Sequence, residues 1–503
     1  MLVLGSSVAS PCAWANGSPI ADAAAAGNSA QVIALLDRKV DPNTPQADGT
    51  TALHWLARRD DIELAKKLLA SGAGATAQNR YGITPLYLAA VNGSAPMIEL
   101  LLGSGADANE VGIEGEGVLM TAARTGSVAA ARALLAHGAA VDRREQWHGQ
   151  TALMWAAAQG HPDMLRELLA HGADVNARSN EELWERQVTG EPRDKWLPLG
   201  GFTPLLFAAR EGCVACVGLL AEAGGDLNAA TPEGITPLIS ALINGHYDVA
   251  GALLDHGADP NRRDKTGRTA LYAAADFNTM PSSNRPAPQV SDDQLTALDV
   301  IRKLIEHAAD VNARLVRMAP YRAKLDRGND TMLTTGTTPF LRAAKAGDVT
   351  LMRLLLAHGA DASLGTKVSA GPFEGGGINP LMAAAGLGTH EEDSTGRFKT
   401  QQQAIEAIRI CLDAGLDINA SDAEGRTAAF GAALQGYDDV IRFLAENGAR
   451  LDTADKDGFT PLDAALGKAG GFGFAGNSGV VREATAQLIR ELLAKTQAAQ
   501  ASR

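Results

Sequence analysis

Aromatic side chains are scarce in this chain, at 5% of 503 residues. Alanine and leucine therefore supply most of the apolar surface, and small or straight side chains favour helices packed closely together. Cysteine is scarcer still. Cys12, Cys213, Cys216 and Cys411 are too few for a disulfide framework in a chain this long. No apolar run reaches the roughly 18 residues that span a bilayer, so no membrane span is expected. Basic residues are outnumbered. A net charge of −13 repels nucleic acid and anionic lipid, and neither is expected as a partner. Overall disorder is excluded by a hydrophobic fraction of 46%.

What the chain has in quantity is repetition. Segments that open with glycine and run into a Thr-Pro-Leu-like triplet start at Gly49, Gly82, Gly115, Gly149, Gly201, Gly234, Gly267, Gly336, Gly377, Gly425 and Gly458. Their spacings are 33, 33, 34, 52, 33, 33, 69, 41, 48 and 33, which is one unit carrying insertions. Each unit predicts two helices. Thr84-Pro85 and Thr236-Pro237 suit the start of the first, because threonine caps free N–H groups and proline fits the first turn. Leu165 to Asp174 (LRELLAHGAD) shows the second, with leucines at helical spacing and a glycine for the left-handed cap. About six polar residues then lead to the next glycine, a length that suits a tight turn or hairpin. One such unit cannot enclose its own apolar face, but stacked neighbours can.

The Gly-x-Thr-Pro-Leu and Leu-Leu-x-x-Gly-Ala-Asp-x-Asn signatures resemble those of the ankyrin-repeat family over roughly residues 18 to 496, in about twelve repeats. The resemblance implies an all-α helical solenoid with hairpin-like finger loops. Its inner surface would be lined by the first helices and the fingers, which hold partners. A continuous array over 18–497 is expected, with residues 1–17 and 498–503 outside it.

The insertions break the pattern, and loops carry function on such scaffolds. Fingers are lengthened by 19 residues after Asn176, 18 after Asn312 and 8 after Ser363. The loops between paired helices gain 18 residues in the unit from Gly267 and 15 in that from Gly377, and Gly467 to Gly479 is a similar Gly-rich excess.

Catalytic and metal signatures are weak. Of ten histidines, His137, His171, His256, His307 and His358 fall at second-helix C-termini, where a cation complements the helix dipole. His161 and His246 fall in turns and His54 in the repeat motif. Only His148 and His390 stand outside the pattern, too few for a metal site. Cys213-x-x-Cys216 opens a second helix and reads as packing residues or a local disulfide in preference to a redox pair. No phosphate loop or nucleophile–base pair is legible. No cofactor and no catalysis are expected, with an enzyme built between the inserted loops as the weakest reading.

Tryptophan is distributed unevenly. Four of the six, Trp147, Trp155, Trp184 and Trp196, lie between residues 147 and 196. Trp147 sits beside His148 on a short finger, and Trp155 on the helix that follows. Trp184 and Trp196 lie on the 19-residue extension, with Arg186, Arg193 and Lys195. Such aromatics suit a binding site, and these eight residues form the expected one. The chain is expected to be a monomeric scaffold for another protein, or alternatively a glycan or small-molecule binder. Ala13-Trp14-Ala15 fits a signal-peptidase site, so a periplasmic or secreted location is expected against a cytoplasmic alternative.

Overall fold

The computed structural model describes residues 17–112, 115–182, 199–279, 292–317, 335–367, 376–389, 399–469 and 479–501. It divides into two compact units, Met1–Glu181 with Gly200–Gly225, and Glu182–Leu199 with Asp226–Arg503.

The first unit holds six helix pairs: α1 (Pro19–Ala25) with α2 (Ser29–Asp37), α3 (Ala52–Arg59) with α4 (Ile62–Ala70), α5 (Pro85–Asn92) with α6 (Ala95–Gly103), α7 (Val118–Thr125) with α8 (Val128–Ala136), α9 (Ala152–Ala158) with α10 (Pro162–Ala170), and α11 (Pro204–Glu211) with α12 (Val214–Glu222). Each first helix packs on the next first helix, and each second helix on the next second helix. The interface between the two layers is apolar. Leu53, Leu86, Ile98, Leu134, Leu165 and Leu168 are fully or almost fully buried there.

Local chemistry starts and stops these helices as the repeat dictates. Thr84 Oγ1 accepts the Tyr87 N–H at 3.0 Å, and Pro85 takes the first turn. Gly93 ends α5 at φ 67°, and a Cβ there would approach the Ser127 Cβ to 2.9 Å, so glycine is required for both reasons. The asparagine of the repeat signature stitches neighbours together. Asn109 Nδ2 donates to the Gly138 carbonyl at 2.9 Å, and its Oδ1 accepts the Ala140 N–H at 2.8 Å.

The second unit holds α13 (Pro237–Asn244), α14 (Tyr247–Asp255), α15 (Ala270–Asn278), α16 (Ala297–Glu306), α17 (Pro339–Ala346), α18 (Val349–Ala357), α19 (Pro380–Ala384), α20 (Gln401–Asp413), α21 (Ala428–Gln435), α22 (Asp438–Glu446), α23 (Pro461–Ala465) and α24 (Glu483–Ala501). Its first helices bury polar groups that the sequence reading did not single out. Arg342 Nε, on α17, donates to Asp276 Oδ1 on α15 at 2.8 Å, with Arg342 fully buried. Lys399 Nζ donates to the Lys345 and Ala383 carbonyls, both at 2.9 Å, a cation placed at the C-terminal ends of α17 and α19.

Among the described residues, strand pairing is limited to isolated bridges: Val111 with Gly117, Glu181 with Gly200, and Ser421 with Thr427. Fingers are joined along their tips by main-chain bonds, such as Arg80 N–H to Asp48 O at 2.8 Å and Lys456 N–H to Glu424 O at 2.9 Å. The architecture is an all-α repeat array with hairpin fingers. No helix among the described residues is long and apolar enough to cross a membrane.

Candidate functional site

The finger between α8 and α9 differs from a regular finger by one residue. In the regular finger between α22 and α23 an aspartate folds the tip. Asp455 Oδ1 accepts the N–H groups of Asp457 at 3.0 Å and Phe459 at 2.9 Å, two and four residues ahead. In the α8–α9 finger the corresponding residue is glutamate. Glu145 accepts from Trp147 at 2.5 Å, His148 at 2.7 Å and Gln150 at 3.0 Å, so its bonds reach five residues ahead. The extra residue is visible as the 34-residue spacing from Gly115 to Gly149. Glutamate's additional methylene spans it. The tip is held further by Asn180, whose N–H donates to the His148 carbonyl at 2.6 Å.

This arrangement leaves Trp147 standing out, with 67% of its surface exposed, and His148 exposed beside it. Across from them Trp155 projects from the fourth position of α9. Trp147, His148, Trp155, Glu116, Arg124, Glu145 and Gln150 line one open cavity of about 580 Å³. Three of the residues expected from the sequence thus come together. Trp184, Arg186, Arg193, Lys195 and Trp196 lie outside the described residues.

Glu116, Arg124, Glu145 and Gln150 escaped the sequence reading. The available signal was a glutamate where Asp264, Asp422 and Asp455 stand in other fingers, together with the 34-residue spacing. Glu116 accepts from Thr121 Oγ1 at 3.0 Å and pairs with Arg124 Nε at 3.5 Å. Glu145 is spent on its own finger. The cavity wall therefore keeps one unpartnered donor, since the buried Nε1 of Trp155 has no hydrogen-bond partner among the described residues, whereas Arg124 Nε faces Glu116. A ligand oxygen is its natural complement.

Next to the cavity, burial raises the pKa of the Tyr87 hydroxyl, and the Glu116 carboxylate adds to the effect. Glu110 lies behind Tyr87. Burial pushes its carboxyl up to about 7, against hydrogen bonds from the Thr84 hydroxyl and the Tyr87 N–H. Elsewhere in this unit, Cys213 and Cys216 form a disulfide with Cα atoms 5.2 Å apart. Among the described residues no cluster of three or more His, Cys, Asp or Glu is placed to hold a metal.

The family model of ankyrin repeats (3 copies) matches residues 20–111, 104–179, 185–264, 205–315 and 399–472, well over half of the sequence. The chain belongs to the ankyrin-repeat family. An ankyrin repeat domain-containing protein of monkeypox virus, OPG015, is 39% identical over 62 residues, which are 12% of this chain and 14% of that protein. Cortactin-binding protein 2 of Rattus norvegicus is 35% identical over 91 residues, 17% of this chain and 5% of that protein. Serine/threonine-protein kinase 12 of Arabidopsis thaliana is 40% identical over 62 residues, 12% of this chain and 14% of that protein. The chain thus spans at most 14% of the length of these relatives. The crystal structure of the human ASB11 ankyrin repeat domain is 25% identical and aligns with 51% of this chain and 96% of its own, at a TM-score of 0.39.

Proposed function

We propose that this protein is a non-enzymatic scaffold that holds another protein at the α8–α9 finger, with Trp147 as the exposed anchor. Ankyrin repeats are in general protein-interaction scaffolds. The observation that carries the reading to this site is the cavity itself. It combines an exposed tryptophan with a second indole whose N–H is unpartnered, on a repeat framework. Hot spots of interfaces have this composition. The scaffold is read as a monomer, periplasmic or secreted.

Crosslinking from a photoreactive group at Gln146, beside the anchor, tests the reading in envelope extract. A defined protein captured by the wild type and lost with Trp147→Ala supports it. Equal capture by both, or retention of glycans alone, overturns it. Fractionation with mass measurement of the N-terminus tests the location, and an uncleaved cytoplasmic chain would overturn that part.

A further inference from the structure

We infer that Cys213 and Cys216 form a thiol-exchange site, a two-electron redox pair open to small thiols and their disulfides, in addition to the binding surface. The pair sits at the start of α12. Cys213 is the N-cap residue, in extended conformation just outside the helix, and its Sγ accepts the Cys216 N–H at 3.2 Å. The disulfide joins residues only three apart.

A structural staple is a poor account of this bond. Disulfides stabilise chiefly by closing long loops in the unfolded chain, and this loop is about as short as a loop can be. The first turn of α12 is already fixed by its own bonds, with the Val217 N–H on the Cys213 carbonyl at 3.0 Å. Nor does the position demand sulfur. The same cap on α2, α4, α6 and α8 is made by Asn28, Asp61, Ser94 and Ser127.

The two sulfurs are also unequal, as exchange requires. Cys216 is fully buried, whereas Cys213 is only half-buried and is flanked by exposed Val214. On the preceding turn Cys213 faces Gly160, where even an added Cβ would lie 4.0 Å from Sγ. An incoming thiolate therefore reaches Cys213. It forms a bond to Cys213 Sγ as the Sγ–Sγ bond breaks, and Cys216 leaves as a thiolate that takes a proton from water. A second thiol attacks the outer sulfur of this mixed disulfide. It releases the external disulfide and leaves Cys213 as a thiolate, so two thiols have delivered two electrons. The released Cys213 thiolate stays at the helix N-terminus, against the Cys216 N–H, an environment that favours the anion.

Cys411 provides an internal control, because it is fully buried and burial pushes its thiol up to about 12. The full chain is treated with graded glutathione buffers, alkylated with iodoacetamide and peptide-mapped, with circular dichroism in parallel. The expected result is a pair that opens while the fold persists, Cys213 alkylating roughly tenfold or more faster than Cys216, and an unmodified Cys411. Cys216→Ser with oxidised glutathione should become glutathionylated at Cys213. Cys213→Ser, which keeps a capping oxygen, should not be modified at Cys216. A disulfide that stays closed until the chain melts, or equal alkylation of the two cysteines in the wild-type chain, overturns the inference without any variant being needed. Failure here leaves the Trp147 site untouched, since that site is read by partner capture.

Discussion

Trp55 and Trp155 occupy the same fourth position of α3 and α9, but only Trp55 has an acceptor for its indole N–H, Gln46 Oε1 at 2.9 Å. The Trp55 ring is also covered by Arg58, 5.6 Å from its centroid. The regular finger over α3 supplies its tryptophan with a partner. Over α9 the wider finger spends Glu145 on its own backbone and leaves the indole donor to the cavity. One register position thus yields a structural tryptophan in one repeat and a candidate ligand group in another.

Trp155→Phe separates these roles. The ring is kept and the donor removed. Because a buried donor without a partner costs stability, the variant should melt at the same temperature or slightly higher. Partner affinity should fall by about 1 kcal/mol if a ligand oxygen meets that donor. Titration calorimetry beside a thermal melt checks both, and a variant that loses stability while binding normally would return Trp155 to the core.

Trp147→Ala is expected to behave differently. At 67% exposure the ring contributes little to folding, so stability should change by no more than about 0.5 kcal/mol. Binding should weaken by about 2 kcal/mol or more, which is the hallmark of an interface anchor. Surface plasmon resonance with the captured partner measures it.

Much of this was legible in the sequence, for stated physical reasons. Glycine at positive φ, threonine caps and the 33-residue period report backbone requirements that are local, so the helix pairs follow from them. Trp147, His148 and Trp155 were legible as a group because they fall within one finger and the helix after it. Glu145 was not, since its work is set by a backbone loop one residue longer than usual, and a polar residue in a turn reads as solvated. Arg342 and Asp276 were hidden by separation. They stand 66 residues apart, and an arginine on a first helix reads as exposed until its partner is placed.

Asn109 makes a prediction about coupling between repeats. Its amide donates to one repeat's Gly138 carbonyl and accepts from Ala140, both beyond the next helix pair. Asn109→Ala removes both bonds from a partly exposed site, at an expected cost of about 1–2 kcal/mol in urea unfolding. Asn109→Asp keeps the acceptor and loses the donor, so it should cost less than alanine. Hydrogen exchange should rise locally at Ala140, and unchanged protection there would show that the stitch carries no load.

Glu110 gives the first unit a distinct pH dependence. Its carboxyl is raised from 4.5 to about 7, mainly by burial. Between those values the folded chain holds a proton that the unfolded chain has released, so unfolding free energy falls as pH rises through this window. Below it both states are protonated and nothing is lost. Above it both are ionised and the loss is complete. The full shift corresponds to about 3 kcal/mol, and because Glu110 is only half-buried, solvent screening should reduce it to about 2 kcal/mol. Glu110→Gln keeps an acceptor for the Thr84 hydroxyl and has no proton to lose. Urea unfolding of wild type and variant should therefore nearly coincide at about pH 4.5 and diverge by about 2 kcal/mol in the variant's favour by about pH 8. Parallel curves across that range would mean that Glu110 ionises like a solvated carboxylate and that the Thr84 and Tyr87 contacts cancel its burial.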